Sequence, residues 1–164
     1  MILACHADQS LSLLGDPTPR ESALLSHFRY QPNPTVVHTD TSVLPRSRRA
    51  WSSWNYRVEK FGGASTHYWM NRLQSLPGSA EGRDEYLVSL NDPGSIDPTK
   101  ILMKLEYEHP LFSREAVRAQ SELPALNREG GSTRTYFCGS YFRYGFHEDA
   151  LMSSVILCRQ ILGE

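Results

Sequence analysis

The 164-residue sequence has no apolar run approaching the ~18 consecutive residues of a membrane-spanning helix. Its start, Met1-Ile-Leu-Ala-Cys-His6, has no basic stretch ahead of its few apolar residues and does not read as a signal peptide. Charge excess is missing too: 17 basic against 18 acidic residues leave a net charge of −1. No strong field therefore points to nucleic acid or an anionic membrane surface. Cysteine is sparse. Cys5, Cys138 and Cys158 are far apart, odd in number and set in apolar sequence. They suit buried free thiols in a reducing compartment, with the cytoplasm as the default, and not a disulfide framework or zinc site. The sequence also has no Gly-x-Ser-x-Gly elbow, His-Glu-x-x-His pair, phosphate-loop lysine motif or Gly-x-Gly-x-x-Gly.

What is present is the composition of one ordinary globular domain, 40% apolar and 21% charged. Ile2 to Cys5 reads as a strand already under way, as though the chain continued something larger. Asp8 is placed to cap a helix from Gln9 to Leu14, with Gly15 ending it. Thr18-Pro-Arg-Glu21 is a capping box with proline at the first helical position. Leu24, Leu25 and Phe28 supply that helix's apolar face, and Pro32 and Pro34 should stop it. From Thr35 the period becomes two, predicting strands over 35–41, 49–58, 65–73 and 85–90, with turns at Gly62-Gly63 and Asn91-Asp-Pro-Gly94. Lys100 to Tyr107 alternates as well and suits a sheet strand or an extended arm. A helix over 113–123 capped by Ser113 and a loop over 127–132 follow.

The most informative stretch is Thr135 to Ser154. A short apolar strand (Thr135 to Cys138) meets a glycine turn at Gly139, then an aromatic loop closed by Gly145, then a helix from about Glu148 to Leu162. Leu151, Val155, Cys158 and Leu162 share one face of that helix at a 3.6-residue period. Strand, glycine turn and helix together present unpaired backbone N–H groups suited to an anion. Glu148 and Asp149 suit the helix dipole but would repel a phosphate unless they point away. The ligand's identity stays open on these residues alone.

Other clusters invite chemistry less strongly. His147-Glu148-Asp149 is a poor metal site, because adjacent helical side chains point roughly 100° apart. His38 and Asp40 lie two apart on one strand face, as an acid–base pair or a plain polar pair. Arg46, Arg48 and Arg49 beside Trp51 and Trp54 read as a solvated loop entering an aromatic strand. Trp51, Trp54, Tyr56, Tyr68 and Trp69 suit either an apolar pocket or plain sheet core. Ser140 and His147 lack the elbow and orienting acid that a hydrolase needs.

Tyr136-Phe-Cys-Gly-Ser-Tyr-Phe-Arg-Tyr-Gly-Phe-His-Glu-Asp-Ala-Leu-Met-Ser-Ser154 resembles the C-terminal flavin motif of the flavin-containing amine oxidase superfamily. Within it, the bacterial group of predicted NAD/FAD-binding oxidoreductases is the nearest match. The likeness extends to Ala4 to Leu11, His38-Thr-Asp-Thr41, Pro45-Arg46, Trp51-Ser-Ser-Trp-Asn-Tyr56, Met70-Asn-Arg-Leu-Gln74 and Tyr107-Glu-His-Pro-Leu-Phe112. It implies an FAD-dependent oxidoreductase that removes hydride from an amine or an apolar, unsaturated, lipid-like small molecule. It implies non-covalent FAD, with no cysteine placed to attach the flavin. Gly139 and Ser140 would lie at the ribityl–pyrophosphate turn, Gly145, Phe146 and His147 near the isoalloxazine, and Glu148, Asp149 and Ala150 at the head of the helix, with Tyr144 also among the cofactor-binding residues. Trp51, Trp54, Tyr56 and Trp69 would line the substrate pocket. The catalytic residue is unknown, since the water-holding lysine of many relatives matches none of Lys60, Lys100 or Lys104.

The resemblance further implies an α+β fold in two parts. Residues 1–29 and 110–164 would be returning segments of the FAD-binding α/β domain, and residues 30–109 an antiparallel-sheet substrate domain. The glycine-rich βαβ unit that grips the ADP half of FAD would be a missing N-terminal segment, and Met1 an internal start. A chain of this kind used alone would be inactive. The competing expectation is a non-catalytic α+β binding module that pairs with a separate nucleotide-binding chain.

Overall fold

A computed structural model of the chain describes residues 1–58 and 63–164. The expected turn at Gly62 and the position of Lys60 lie outside them. The chain is mixed α+β. In order it forms β1 (Ile2–Leu3), α1 (Ala7–Leu13), α2 (Pro19–Leu25), β2 (Arg29–His38), β3 (Trp54–Val58), β4 (Ala64–Trp69) and α3 (Met70–Leu73). Then come β5 (Leu87–Leu90), β6 (Ile101–Leu111), α4 (Arg114–Gln120), α5 (Leu123–Thr133), β7 (Tyr136–Phe137) and α6 (His147–Leu162). It divides into two compact units, Met1–Gln31 with His109–Glu164, and Pro32–Glu108. No helix among the described residues is long and apolar enough to cross a membrane.

The first unit holds a two-stranded parallel sheet, β1 beside β7, with Ile2 opposite Tyr136 and Leu3 opposite Phe137. Leu3, Leu25, Phe28, Leu123, Phe137 and Tyr141 form the centre of its core. The Thr18 capping box forms as expected: its hydroxyl accepts from the Glu21 N–H at 3.2 Å, and Glu21 Oε2 accepts from the Thr18 N–H at 2.7 Å.

Several boundaries differ from expectation, each for a local reason. Helix α1 begins earlier, at Ala7, whose N–H donates to the Tyr30 hydroxyl at 3.1 Å, and Gln9 rather than Asp8 returns to the preceding backbone. Helix α2 ends at Leu25, and Pro32 and Pro34 lie instead within β2, ahead of its β5-paired stretch Thr35–His38. The loop expected over 127–132 is helical. There the α5 backbone needs Gly130, because a β-carbon at that position would collide with the Tyr136 ring.

The second unit is a five-stranded antiparallel sheet ordered β3-β4-β5-β2-β6. Val43, Leu44, Leu87 and Ile96 are its buried apolar centre. The strand expected over 65–73 stops at Trp69, because the Asn71 side chain replaces the ladder. Its Nδ2 donates to the Pro77 and Asp84 carbonyls, and its Oδ1 accepts from the Tyr86 N–H. The strand expected over 49–58 begins only at Trp54. Upstream of it, Asn55 bonds the Ser52 N–H and carbonyl and folds the chain back on itself. The alternating stretch from Lys100 joins the sheet as edge strand β6.

Candidate functional site

The head of α6 is built by three hydrogen-bonded anchors. Ser153 Oγ accepts from the Gly139 N–H and donates to the Ala150 carbonyl, both at 2.8 Å, which ties the glycine turn to the helix. Asp149 is buried, and its Oδ2 accepts from the N–H groups of Tyr144 at 3.2 Å and Phe146 at 3.0 Å. Arg143 stands 3.8 Å from the other carboxylate oxygen. On the far side of β7, Asn127 takes both backbone groups of Phe137 at 2.8 Å, closing that edge of the small sheet. Spacing gave no sign of Asn127 or Ser153 as anchors, since both bind backbone across long sequence separations.

Both glycines of the stretch are required by close packing. A β-carbon on Gly139 would lie 2.7 Å from the Tyr141 ring. Gly145 has φ +91°, and a β-carbon there would lie 3.2 Å from Phe112. The helix runs from His147, with its apolar row turned outward: Leu151, Val155 and Leu162 are 59%, 41% and 69% exposed. The buried row is instead Asp149, Ser153 and Leu157. Cys158, expected to be buried, is exposed, whereas Cys138 is buried.

As contacts for a flavin these residues divide. Tyr144, Phe146, His147 and Glu148 are exposed together around the first turn of α6, where N–H groups lack intrahelical partners. They fit one wall of a ligand site. Gly139 does not, because it is buried and its N–H is already bonded to Ser153. The Asp149 carboxylate holds the loop amides that an anion would use. Ser140 and Ala150 are half-buried beside them. The hollow between α5 and α6 is only about 140 Å³, lined by Phe142, Arg143, Asp149, Met152 and Ile156 among others. Drug-sized ligands occupy ~300–1,000 Å³, so this hollow alone does not enclose one.

The four aromatic residues expected to line a substrate pocket are split between the faces of the sheet. Trp51 and Trp69 meet edge to face with centroids 5.2 Å apart. Trp54 and Tyr56 pair with Tyr68 and Thr66, whose side chains alternate away from Trp69, and are 62% and 65% exposed. The alternation follows from the register.

The face shared by Trp69 carries a buried polar row. His38 Nε2 lies 2.7 Å from Ser89 Oγ, Ser89 Oγ lies 2.6 Å from His67 Nδ1, and His67 Nε2 lies 3.0 Å from Ser65 Oγ. His38 and Asp40 do not form an imidazole–carboxylate bond to each other. The Asp40 N–H donates to His38 Nδ1, while the Asp40 carboxylate takes the N–H groups of Ser42 and Asp97 and stands 3.3 Å from Lys100 Nζ. Burial pushes the His38 imidazole below its ordinary value, partly offset by Asp40 and Asp92. Burial alone would raise the Asp40 carboxyl, but the hydrogen bonds from Asp97, Ser42 and Lys100 outweigh it and hold it at about 2. Both groups are buried. The polar positions Ser65, His67 and Ser89 at period two were the signal for this row.

No protein-family model matches the sequence, and no curated protein shows significant similarity to it.

Proposed function

We infer that this chain is the C-terminal part of an FAD-dependent oxidoreductase of the amine oxidase type. The observation that carries the reading is the parallel β1–β7 pair leading through a glycine turn into α6. Parallel sheets belong almost entirely to α/β domains with both faces covered, and two strands alone make a marginal sheet. Here Asn127 closes the β7 edge, so further parallel strands have room only beside β1. A dinucleotide-binding βαβ segment, on this or another chain, would supply such strands and would cover the exposed row of α6.

In this reading Gly145, Phe146, His147 and Glu148 form one wall of the flavin site, and the partner segment holds the rest. Bound FAD supplies the hydride acceptor. This chain supplies ring contacts from Tyr144 and Phe146 and the unpaired amides at the start of α6. Asp149 keeps the loop in shape. The substrate would be an amine or an apolar, unsaturated, lipid-like molecule.

The test is to co-express the chain with its upstream open reading frame and record the visible spectrum of the purified complex. Flavin bands that bleach with dithionite support the reading, and Phe146→Ala with His147→Ala should shift or weaken them. A colourless, well-folded complex would favour a non-catalytic module that pairs with a nucleotide-binding chain. The buried Asp149 carboxylate, already taking the loop amides, is the feature that favours that second reading.

A further inference from the structure

Strand β6 is an edge of the five-stranded sheet, and its eleven residues run from Ile101 to Leu111. An edge of that length offers a row of backbone donors and acceptors to another chain. Its portion within the second unit, Ile101 to Glu108, contains no proline to blunt it. Just past β2, the Thr39 N–H donates to the Lys100 carbonyl at 3.1 Å, so the Lys100 backbone faces β2. Backbone groups alternate sides along a strand. Those of Leu102, Lys104 and Glu106 therefore turn to β2, and those of Ile101, Met103 and Leu105 turn to the open edge.

Side chains alternate between the faces as well. Ile101, Met103, Leu105 and Tyr107 form an apolar row, with Ile101 packed on the buried centre of the sheet. Leu102, Lys104, Glu106 and Glu108 form the opposite row, and all four are exposed. Two copies of one edge strand meet antiparallel about a two-fold axis, each residue facing its mirror position. With the axis at Leu105, Lys104 faces Glu106 of the second copy, and symmetry makes that pair twice. Met103, 54% exposed, faces Tyr107 of the second copy, 50% exposed. The Leu105 backbone points to the open edge, so the two Leu105 residues are the hydrogen-bonded pair. Lys104 and Glu106 then fall at non-hydrogen-bonded positions, where facing side chains come closest.

Other registers fit worse. An axis at Lys104 or at Glu106 sets two like charges against each other upon it, which destabilises a strand pair. A slip of one residue sets the apolar row of one copy against the charged row of the other. A lysine on an edge ordinarily discourages strand addition. Here its spacing from Glu106 selects one register of one partner. We propose that Ile101–Glu108 is a homodimer interface, with β6 of two copies paired antiparallel about Leu105 so that their sheets become continuous. A single strand edge is smaller than a standard interface, so the dimer is a weak one that forms at high protein concentration. Pairing at β6 is independent of the flavin reading.

Sedimentation equilibrium of the full chain at low salt, where exposed charge pairs are least screened, is the test. The wild type should fit a monomer–dimer equilibrium. Lys104→Glu and Glu106→Lys should each raise the dissociation constant about tenfold, since both attractive pairs become repulsive. An equimolar mixture of the two single variants should dimerise like the wild type, because each supplies the charges that the other lacks. The double exchange Lys104→Glu with Glu106→Lys should restore dimerisation within one chain. All these changes lie on exposed side chains, and circular dichroism checks that each variant is folded. A wild type that stays monomeric at every concentration would overturn the proposal. Equal association of the wild type and both single variants would also overturn it, because an apolar surface elsewhere is indifferent to these charges. So would a mixture that associates no better than its components, which would exclude the Leu105 register. Should a single variant not fold, hydrogen exchange of the wild type decides: the Met103 and Leu105 amides should gain protection as concentration rises, and unchanged exchange would overturn the pairing.

Discussion

His38 Nε2 and Ser89 Oγ lie 2.7 Å apart with both side chains fully buried, and this contact fixes the protonation of a row of side chains across three strands. Because the Asp40 N–H donates to His38 Nδ1, the ring proton of neutral His38 is on Nε2 and is given to Ser89. Ser89 then has its own proton for His67 Nδ1, and His67 Nε2–H points at Ser65. A second proton on His38 would face the Asp40 N–H directly. The folded state therefore favours the neutral ring, in accord with a lowered proton affinity caused first by burial.

The consequence is acid sensitivity. Above the ordinary value of 6.5, His38 is neutral in both folded and unfolded chains. As pH falls below it, the unfolded chain takes up a proton that the folded chain refuses, so stability declines until the lowered folded value is passed. Asp40 adds a second loss at lower pH, since its carboxyl is held at about 2 when folded against 3.8 when free. Thermal melts from about pH 8 to pH 5 should show a falling midpoint, and His38→Gln should flatten the upper part of that slope. A flat wild-type profile through this window would show that His38 does not stay neutral.

Ser89→Ala should cost more than an exposed serine would suggest. It strips the partner from both His38 Nε2 and His67 Nδ1, and each unsatisfied buried group costs about 1–3 kcal/mol. Urea unfolding should therefore report a loss of at least about 2 kcal/mol with little change in slope. A loss below half a kcal/mol, on the order of an ordinary surface change, would mean that water replaces the hydroxyl.

Two adjacent glycines of α5 should respond oppositely to alanine. Nothing lies within 4 Å of a β-carbon on Gly131, so Gly131→Ala gains the ~1 kcal/mol by which alanine exceeds glycine in a helix. At Gly130 the same change drives a β-carbon into the Tyr136 ring and the Thr135 carbonyl, which strains the seat of β7. Gly130→Ala should destabilise by roughly 1–3 kcal/mol, the range for overpacking. Equal effects at the two positions would contradict the packing of Tyr136 on α5.

The local signals of the sequence carried the elements better than the contacts. The Thr18–Glu21 box and the Ser113 cap form where their spacing places them, because each acts within one helical turn. The Gly130-Gly131 pair misled, because glycine marks both loops and sites of close approach, and at Gly130 the reason was the Tyr136 ring six positions downstream. Trp54 and Tyr56 were grouped with Trp51 and Trp69 by composition, whereas strand register separates them onto opposite faces. The Arg48–Glu85 pair spans 37 residues and crosses strands, so no window of sequence could reveal it.

The outward row of α6 makes the last prediction. A 3.6-residue period identified Leu151, Val155 and Leu162 as one apolar face, and a helix ordinarily buries such a face. Here they are exposed, and the helix is held instead through Asp149, Ser153 and Leu157. Polar and backbone anchors thus do the holding, and the apolar row is left to meet another surface. Exposed rows of this kind promote association. The chain expressed alone should give a concentration-dependent mass by light scattering, and Leu151→Glu with Val155→Lys should shift it toward monomer while leaving the melting midpoint within a few degrees. If the double variant associates as strongly as the parent, association runs through another surface, with the exposed side of β1 the first to examine by placing a proline at Ile2.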